Sequence, residues 1–256
     1  MIQFIEVGPS LRRIAVNVHE GNGPTVFWLC GFLSEMESLK GQAMAQWAHE
    51  HGRCLIRFDY TGHGQSEGDF SQGSVSLWLE DALSVIERFT ETRPVLVGSS
   101  MGGWIAVLAA LKLRERNPAL QPAGLVLIAP AIDFTERLIW ERLPAKVQRQ
   151  LMEDGEITVP SQYSEAPYRI TRNLVEDGRR HLLLGSPIEL GCPVHILQGM
   201  LDPDVPWRHS AEFAEHLGHD DVVTTLIRDG DHRLSRPEDL ERLQNAVAGM
   251  IAHASF

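Results

Sequence analysis

Two serines and three glycines stand together in VLVGSSMGGWIAVLAA, Val95 to Ala110. The five residues Gly98-Ser99-Ser100-Met101-Gly102 match Gly-x-Ser-x-Gly, the pattern of a serine nucleophile held on a sharp turn. A second match exists at Gly64-Gln65-Ser66-Glu67-Gly68, so local context has to choose between the two serines. Ser100 follows the β-branched PVLVG and directly precedes an uninterrupted helical stretch, which forces the chain from strand to helix within a few residues. Such a turn strains the serine backbone, and glycines two before and two after it remove side chains that would collide. Ser66 instead sits inside the Gly-rich FDYTGHGQSEGDFSQG and reads as a loop residue bonded to nearby backbone. Ser99 is expected to face back into the packing.

A serine hydroxyl is hardly ionised at neutral pH and needs a base. In a parallel sheet, reacting groups collect at the carboxyl ends of the strands. Downstream of Ser100, CPVHILQG is followed by MLDPDVP, and DVVTTLIRD by GDHRLS. These loops supply Asp202 or Asp204 and then His232. Asp202 lies closer to the strand end, where a carboxylate orients an imidazole, whereas Asp204 suits a cap for the helix starting near Pro206. Among the other histidines, His219 precedes the last strand at the opposite edge, His195 is mid-strand, His253 is near the end and His181 falls in an inserted segment. His63, in TGHG, is either a solvated loop residue or a substrate contact. Two backbone N–H donors are required for an oxyanion; Met101, just after the nucleophile, and Phe32, in CGFLSEM, are expected to provide them.

The elements that must position these residues alternate. TVFWLC (25–30), RCLIRFD (53–59), PVLVG (94–98), GLVLIAP (124–130), CPVHILQG (192–199) and DVVTTLIRD (221–229) read as buried strands. Helical stretches separate them: SVSLWLEDALSVIERF, MGGWIAVLAALKLRERN, PWRHSAEFAEHLG and RPEDLERLQNAVAGMIAHA. IQFIEV and RRIAVNVHE form an antiparallel hairpin ahead of them. The fold class is therefore α/β, a mostly parallel sheet with helices on both faces. Residues 131–190 break the rhythm with no convincing strand, only helix-like pieces such as FTERLIWERLPAKVQRQLMED. The expected organisation is a core of residues 1–130 and 191–256 carrying a helical lid of residues 131–190.

The 256 residues are 43% hydrophobic and 22% charged, the balance of a soluble globular domain with one core. A formal charge of -11 argues against phosphate-backbone binding, so no nucleic-acid partner is expected. Nor is a membrane span, since no apolar run is long enough. MIQFIEVGPSLRR shows no cationic segment followed by a long apolar one, which gives the expectation of a cytoplasmic protein. Cys30, Cys54 and Cys192 read as buried reduced thiols, and no ligand pattern suggests a metal.

Taken together, WLCGFLSEM, RFDYTGHGQSEG, VGSSMGGW, VPSQYSE, LLLGSPIELGCPVHILQGM, DPDVPW and GDHR resemble segments of the α/β-hydrolase superfamily. Within it they are similar to the abhydrolase domain-containing protein 10 family of palmitoyl-protein thioesterases and acyl-glucuronide esterases. The resemblance covers nearly the whole chain and implies the α/β-hydrolase fold, Ser100 as nucleophile, Asp202 as acid and His232 as base. Two features depart from it: the opening residues do not read as a mitochondrial transit sequence, and Cys30-Gly31 stands where many superfamily members have His-Gly.

The function expected is a cofactor-free serine hydrolase cleaving acyl esters or thioesters through an acyl-enzyme. Its partner is a small acyl ester or thioester substrate or an acylated protein. His63, Trp140 and Arg172 are candidate substrate contacts, with Arg169, Arg179 and Arg180 as further cations that either meet an anionic group or lie on a solvated face. A cofactor-free haloperoxidase, a C–C bond hydrolase or lyase using the same triad, and a non-catalytic binding module on this fold are the alternatives.

Overall fold

The computed structural model describes residues 2–160, 167–218 and 220–254. His219 and the SQYSEA part of the VPSQYSE segment lie outside the described residues. Among the described residues, ten strands and seven α-helices follow in the order β1 (Ile2–Val7), β2 (Arg12–His19), β3 (Asn22–Leu29), α1 (Leu39–Glu50), β4 (Arg53–Phe58), α2 (Val75–Phe89), β5 (Val95–Ser99), α3 (Met101–Arg116) and β6 (Gly124–Ile128). Then come α4 (Ala145–Asp154), β7 (Glu156–Val159), β8 (Tyr168–Thr171), α5 (Arg172–Gly178), β9 (Val194–Gly199), α6 (Trp207–His216), β10 (Val222–Ile227) and α7 (Pro237–Ala254).

Eight strands form one sheet in the order β1-β2-β4-β3-β5-β6-β9-β10. β2 runs antiparallel to both β1 and β4, and every pairing from β4 through β10 is parallel. All six strands expected from apolar runs are present, as is the hairpin. The central strands β5 and β6 are buried at every position, which is why they read as unbroken apolar runs rather than alternating ones. α3 is buried on all sides over most of its length, from Met101 through Ala110; a helix hydrophobic all round belongs inside a fold. It starts at the carboxyl end of β5, so its first turn lies at the strand-end rim.

Residues 131–190 differ from the expectation of helix and loop alone. β7 and β8 form a two-stranded antiparallel sheet with Ile157 opposite Ile170. Four residues per strand are too few for alternation to show in a sequence, and the pairing only becomes stable against other elements. The helix-like piece beginning at Phe134 is also not continuous. A wide turn of π-helix at Thr135–Ile139 and a short 3-10 turn at Trp140–Arg142 precede α4, whose first residue follows Pro144. Proline lacks the N–H and the freedom to continue a helix from its amino side, so the break falls there.

The segment is tied back at defined points. The Asp133 carboxylate accepts N–H groups from Leu183 and Leu184 at 2.9–3.0 Å, joining the two ends of this stretch. Asp177 on α5 accepts the Ser76 N–H and hydroxyl on α2, both at 2.8 Å. Arg137 meets both carboxylate oxygens of Glu212 on α6 at 3.0 and 3.1 Å.

Candidate active site

Ser100 lies between β5 and α3 with φ 55° and ψ -118°. For a residue with a Cβ this conformation is strained by about 1–3 kcal/mol, and it lifts the side chain off the sheet edge. The backbone around it is crowded. A Cβ at Gly98 would stand 2.4 Å from the Gly102 carbonyl oxygen, and one at Gly102 only 2.1 Å from that of Leu29. The Ser100 N–H donates to Ile128, and its carbonyl accepts from Gly103 and Ala131, so three neighbouring segments hold the strained residue.

His232 and Asp202 converge on it from 132 and 102 positions further along the chain. Nε2 of His232 is 3.1 Å from the Ser100 hydroxyl oxygen, and its Nδ1 is 2.7 Å from Oδ2 of Asp202. The Asp202 side chain is inaccessible to solvent whereas that of His232 is 15% exposed, so the line runs from a dry anchor to an open end. Oδ1 of Asp202 accepts the backbone N–H groups of Asp204 and Val205, both at 2.9 Å. That turn leaves Oδ2 of Asp202 facing the imidazole. Asp204 does not cap the following helix, because α6 begins after Pro206 with no side-chain cap. The loop carrying His232 is held by the Asp231 carboxylate accepting from the Leu234 N–H at 2.9 Å and by the Lys40 ammonium donating to the Arg233 carbonyl at 2.5 Å. Burial pushes the Lys40 ammonium down to about 8.

Asp202, Asp204 and His232 also bring ligand atoms within 4.8 Å of one another. Both nitrogens of His232 and both oxygens of Asp202 are engaged in hydrogen bonds.

Phe32 is second in a turn closed by the Ser34 N–H on the Gly31 carbonyl at 3.1 Å, with Leu33 left-handed at φ 56°. Its ring is the hub of an aromatic cluster, 5.0 Å from Phe70, 5.6 Å from Phe134, and 5.9 Å from both Trp78 and Tyr168. Met101 opens α3, with its backbone N–H in the first helical turn, where such groups have no partner inside the helix. Cys30 is fully buried, its thiol donating to the Ser34 carbonyl at 3.6 Å, and burial pushes it well above the usual thiol range. Cys192 is likewise buried and pushed up to about 12, while Cys54 is half-buried; all three are free thiols.

Several expected contacts lie elsewhere. His63 is neither a solvated loop residue nor open to a ligand; it is 4% exposed, edge-on to Tyr60, Phe70 and Trp78. The loop folds back because Ser66 donates to the Asp59 carbonyl at 2.6 Å and accepts from the Ala15 N–H at 2.9 Å, which closes it over the imidazole. Arg172 is exposed and donates to the Met152 carbonyl at 2.9 Å. Arg169, Arg179 and Arg180 pair with Glu156, Glu136 and Asp177. Trp140 is half-buried under the Arg179 guanidinium, 4.6 Å from the ring centre. Ser99 is buried. Tyr168 was not singled out by its sequence surroundings: its place over Phe32 comes from the β7–β8 pairing, which no local pattern announces.

A strained serine at a strand–helix turn, an imidazole within reach, a buried carboxylate behind it and a mostly parallel eight-stranded sheet define an α/β hydrolase. The model for the family described as serine aminopeptidase S33 matches residues 25–177. The mouse protein named palmitoyl-protein thioesterase ABHD10, mitochondrial, is 35% identical over 94% of this chain and 80% of its own length, and the human one 32% over 95% and 78%. This chain belongs to that family of α/β hydrolases. Among solved structures, a protein of Agrobacterium vitis aligns with a TM-score of 0.93 at 47% identity, and mouse α/β-hydrolase domain-containing protein 10 with 0.89 at 33%, each over 98% of both chains. The expectation of a cytoplasmic protein is overturned by these relatives, whose names place the mouse and human proteins in mitochondria. Compartment is decided by targeting segments that are removed from the mature protein, so a folded domain's composition does not encode it. Among the described residues, no helix is long and apolar enough to cross a membrane.

Proposed function

We propose that this protein is a serine hydrolase that cleaves acyl esters or acyl thioesters through an acyl-enzyme. The observation carrying this reading is the continuous line from Ser100 to His232 to Asp202, with hydrogen bonds of 3.1 and 2.7 Å. Ser100 attacks the acyl carbonyl while His232 takes the hydroxyl proton on Nε2. Asp202 keeps the other ring proton on Nδ1, which holds the tautomer that leaves Nε2 free to accept. The backbone N–H groups of Phe32 and Met101 receive the oxyanion, reinforced by the positive end of α3. His232 then hands its proton to the departing alcohol or thiol, and a water activated by the same imidazole releases the acid.

The acyl group is read as apolar, resting on the aromatic cluster around Phe32, with residues 131–190 acting as the lid over it. Phe134 and Tyr168, both from that segment, reach Phe32. The thioesterase names of the relatives support including thioesters among the substrates.

Rates across p-nitrophenyl esters and acyl thioesters of increasing chain length test the substrate class, and labelling by a fluorophosphonate tests the nucleophile. Loss of both turnover and labelling in Ser100→Ala is expected. Retained hydrolysis in that variant would overturn the mechanism.

A further inference from the structure

Behind Asp202 lies a second side chain that its sequence surroundings do not advertise. Gln198, the penultimate residue of β9, is fully buried, and so is Ser210 on α6. One end of the Gln198 amide is 2.9 Å from the Gly199 carbonyl, 3.1 Å from the Val205 carbonyl and 3.3 Å from Oδ2 of Asp202. All three are acceptors only, so this end is the NH2 group. The other end, Oε1, accepts the Ser210 hydroxyl at 2.6 Å. The amide therefore has one allowed orientation, and Oδ2 of Asp202 is shared between an uncharged amide donor and the His232 ring N–H.

Resting on the triad reading above, we propose that Gln198, locked by Ser210, is a positioning residue that fixes the Asp202 carboxylate and sets how strongly it supports His232 as the base. The amide N–H places the positive end of a dipole against the carboxylate and draws off part of its negative potential. A neutral donor does this without adding a buried charge, which would itself need a partner. If the amide is removed or free to flip, the carboxylate presents more negative potential to the imidazole. His232 then holds a proton more tightly and is less available to accept one from Ser100. The aim of the carboxylate also loosens, because apart from His232 itself only the Asp204 and Val205 N–H groups remain to hold it.

Other ionisable groups around the pair are Asp204 on the acid loop, Asp231 and Arg233 beside His232, Lys40 from α1, and Tyr168 of β8 next to Asp204. On α6, His209 bonds the Ile132 carbonyl at 2.7 Å. All are unchanged in the variants that follow.

The test compares Gln198→Leu, Ser210→Ala and Ser210→Thr with the wild type by kcat/KM against pH on one p-nitrophenyl ester, with fluorophosphonate labelling and circular dichroism on each. In Gln198→Leu and Ser210→Ala the acidic limb of the profile is expected to move to higher pH by about half a unit. Turnover should fall about tenfold, the scale of a sub-ångström misplacement. Ser210→Thr keeps the hydroxyl and should keep the wild-type profile. Should Gln198→Leu fail to fold, Ser210→Ala, which removes only one oxygen, decides alone. Wild-type labelling together with an unmoved acidic limb in Ser210→Ala would overturn the proposal while leaving the triad intact, even if turnover fell evenly at every pH. Absence of labelling at Ser100 in the wild type would overturn both.

Discussion

His63 and Trp78 share one acceptor: the Thr61 carbonyl receives Nε1 of the indole at 3.2 Å and Nδ1 of the imidazole at 3.3 Å, with the two rings edge-on and 5.4 Å apart. A carbonyl only accepts, so the His63 proton sits on Nδ1. Its Nε2 is buried without a partner among the described residues, and a second proton there would be a buried, unpaired charge.

A pH dependence of stability follows from that pair. Burial pushes His63 down to about 4, against about 6.5 for an ordinary imidazole. Between these values the unfolded chain binds the proton and the folded one does not, so stability is complete above about pH 6.5 and is lost as pH falls towards 4, by at most about 3 kcal/mol. Urea unfolding from pH 4 to 7 should show a shallower slope in His63→Phe than in the wild type. Parallel slopes would show that His63 titrates alike in both states.

Arg12 on β2 is 3.0 Å from Asp81 on α2, whose other oxygen accepts the Thr61 N–H at 2.8 Å. Asp81 is fully buried, and burial raises its carboxyl despite these partners. Arg12→Met strands that carboxylate and should cost about 3 kcal/mol, read from the shift in urea midpoint. Asp81→Asn combined with Arg12→Met should cost less than the sum of the two single changes.

The elbow itself should trade stability for chemistry. Ser100→Gly relieves a strain of about 1–3 kcal/mol and gives back somewhat less than 1 kcal/mol in unfolded-chain entropy. A rise in Tm with hydrolysis abolished is therefore expected. An unchanged or lower Tm would mean that the neighbouring hydrogen bonds, not the serine, define the turn.

Asp202 and Asp204 are separable by kinetics. Asp202→Asn presents an amide where the imidazole needs an acceptor and should lower kcat by about 10⁴-fold, while Asp204→Asn should change it less than about tenfold. Comparable losses in the two variants would contradict the hydrogen-bond line to Oδ2 of Asp202.

Much of this molecule was legible in its residues. The strands at the centre of the sheet are apolar on both faces, so β3, β4, β5, β6 and β9 stand out as runs. Gly98 and Gly102 mark a strand-to-helix turn too tight for a Cβ at either position. The strand-end loops after β9 and β10 place Asp202 and His232 because a parallel sheet brings all its carboxyl ends to one rim. α1, with few apolar residues of clear period, went unmarked, as did β7 and β8, which are too short to show alternation.

Local chemistry therefore determined the elements and which three side chains they bring to one edge, since strand burial and turn sterics act over a few neighbouring residues. Tertiary structure alone decided what surrounds them. The folding back of the TGHG loop buried His63, the β7–β8 hairpin carried Tyr168 to Phe32, and the packing of α6 against β9 set Ser210 on Gln198. The last two contacts join residues 12 and 136 positions apart, whose meeting depends on how whole elements pack and not on any spacing within the chain.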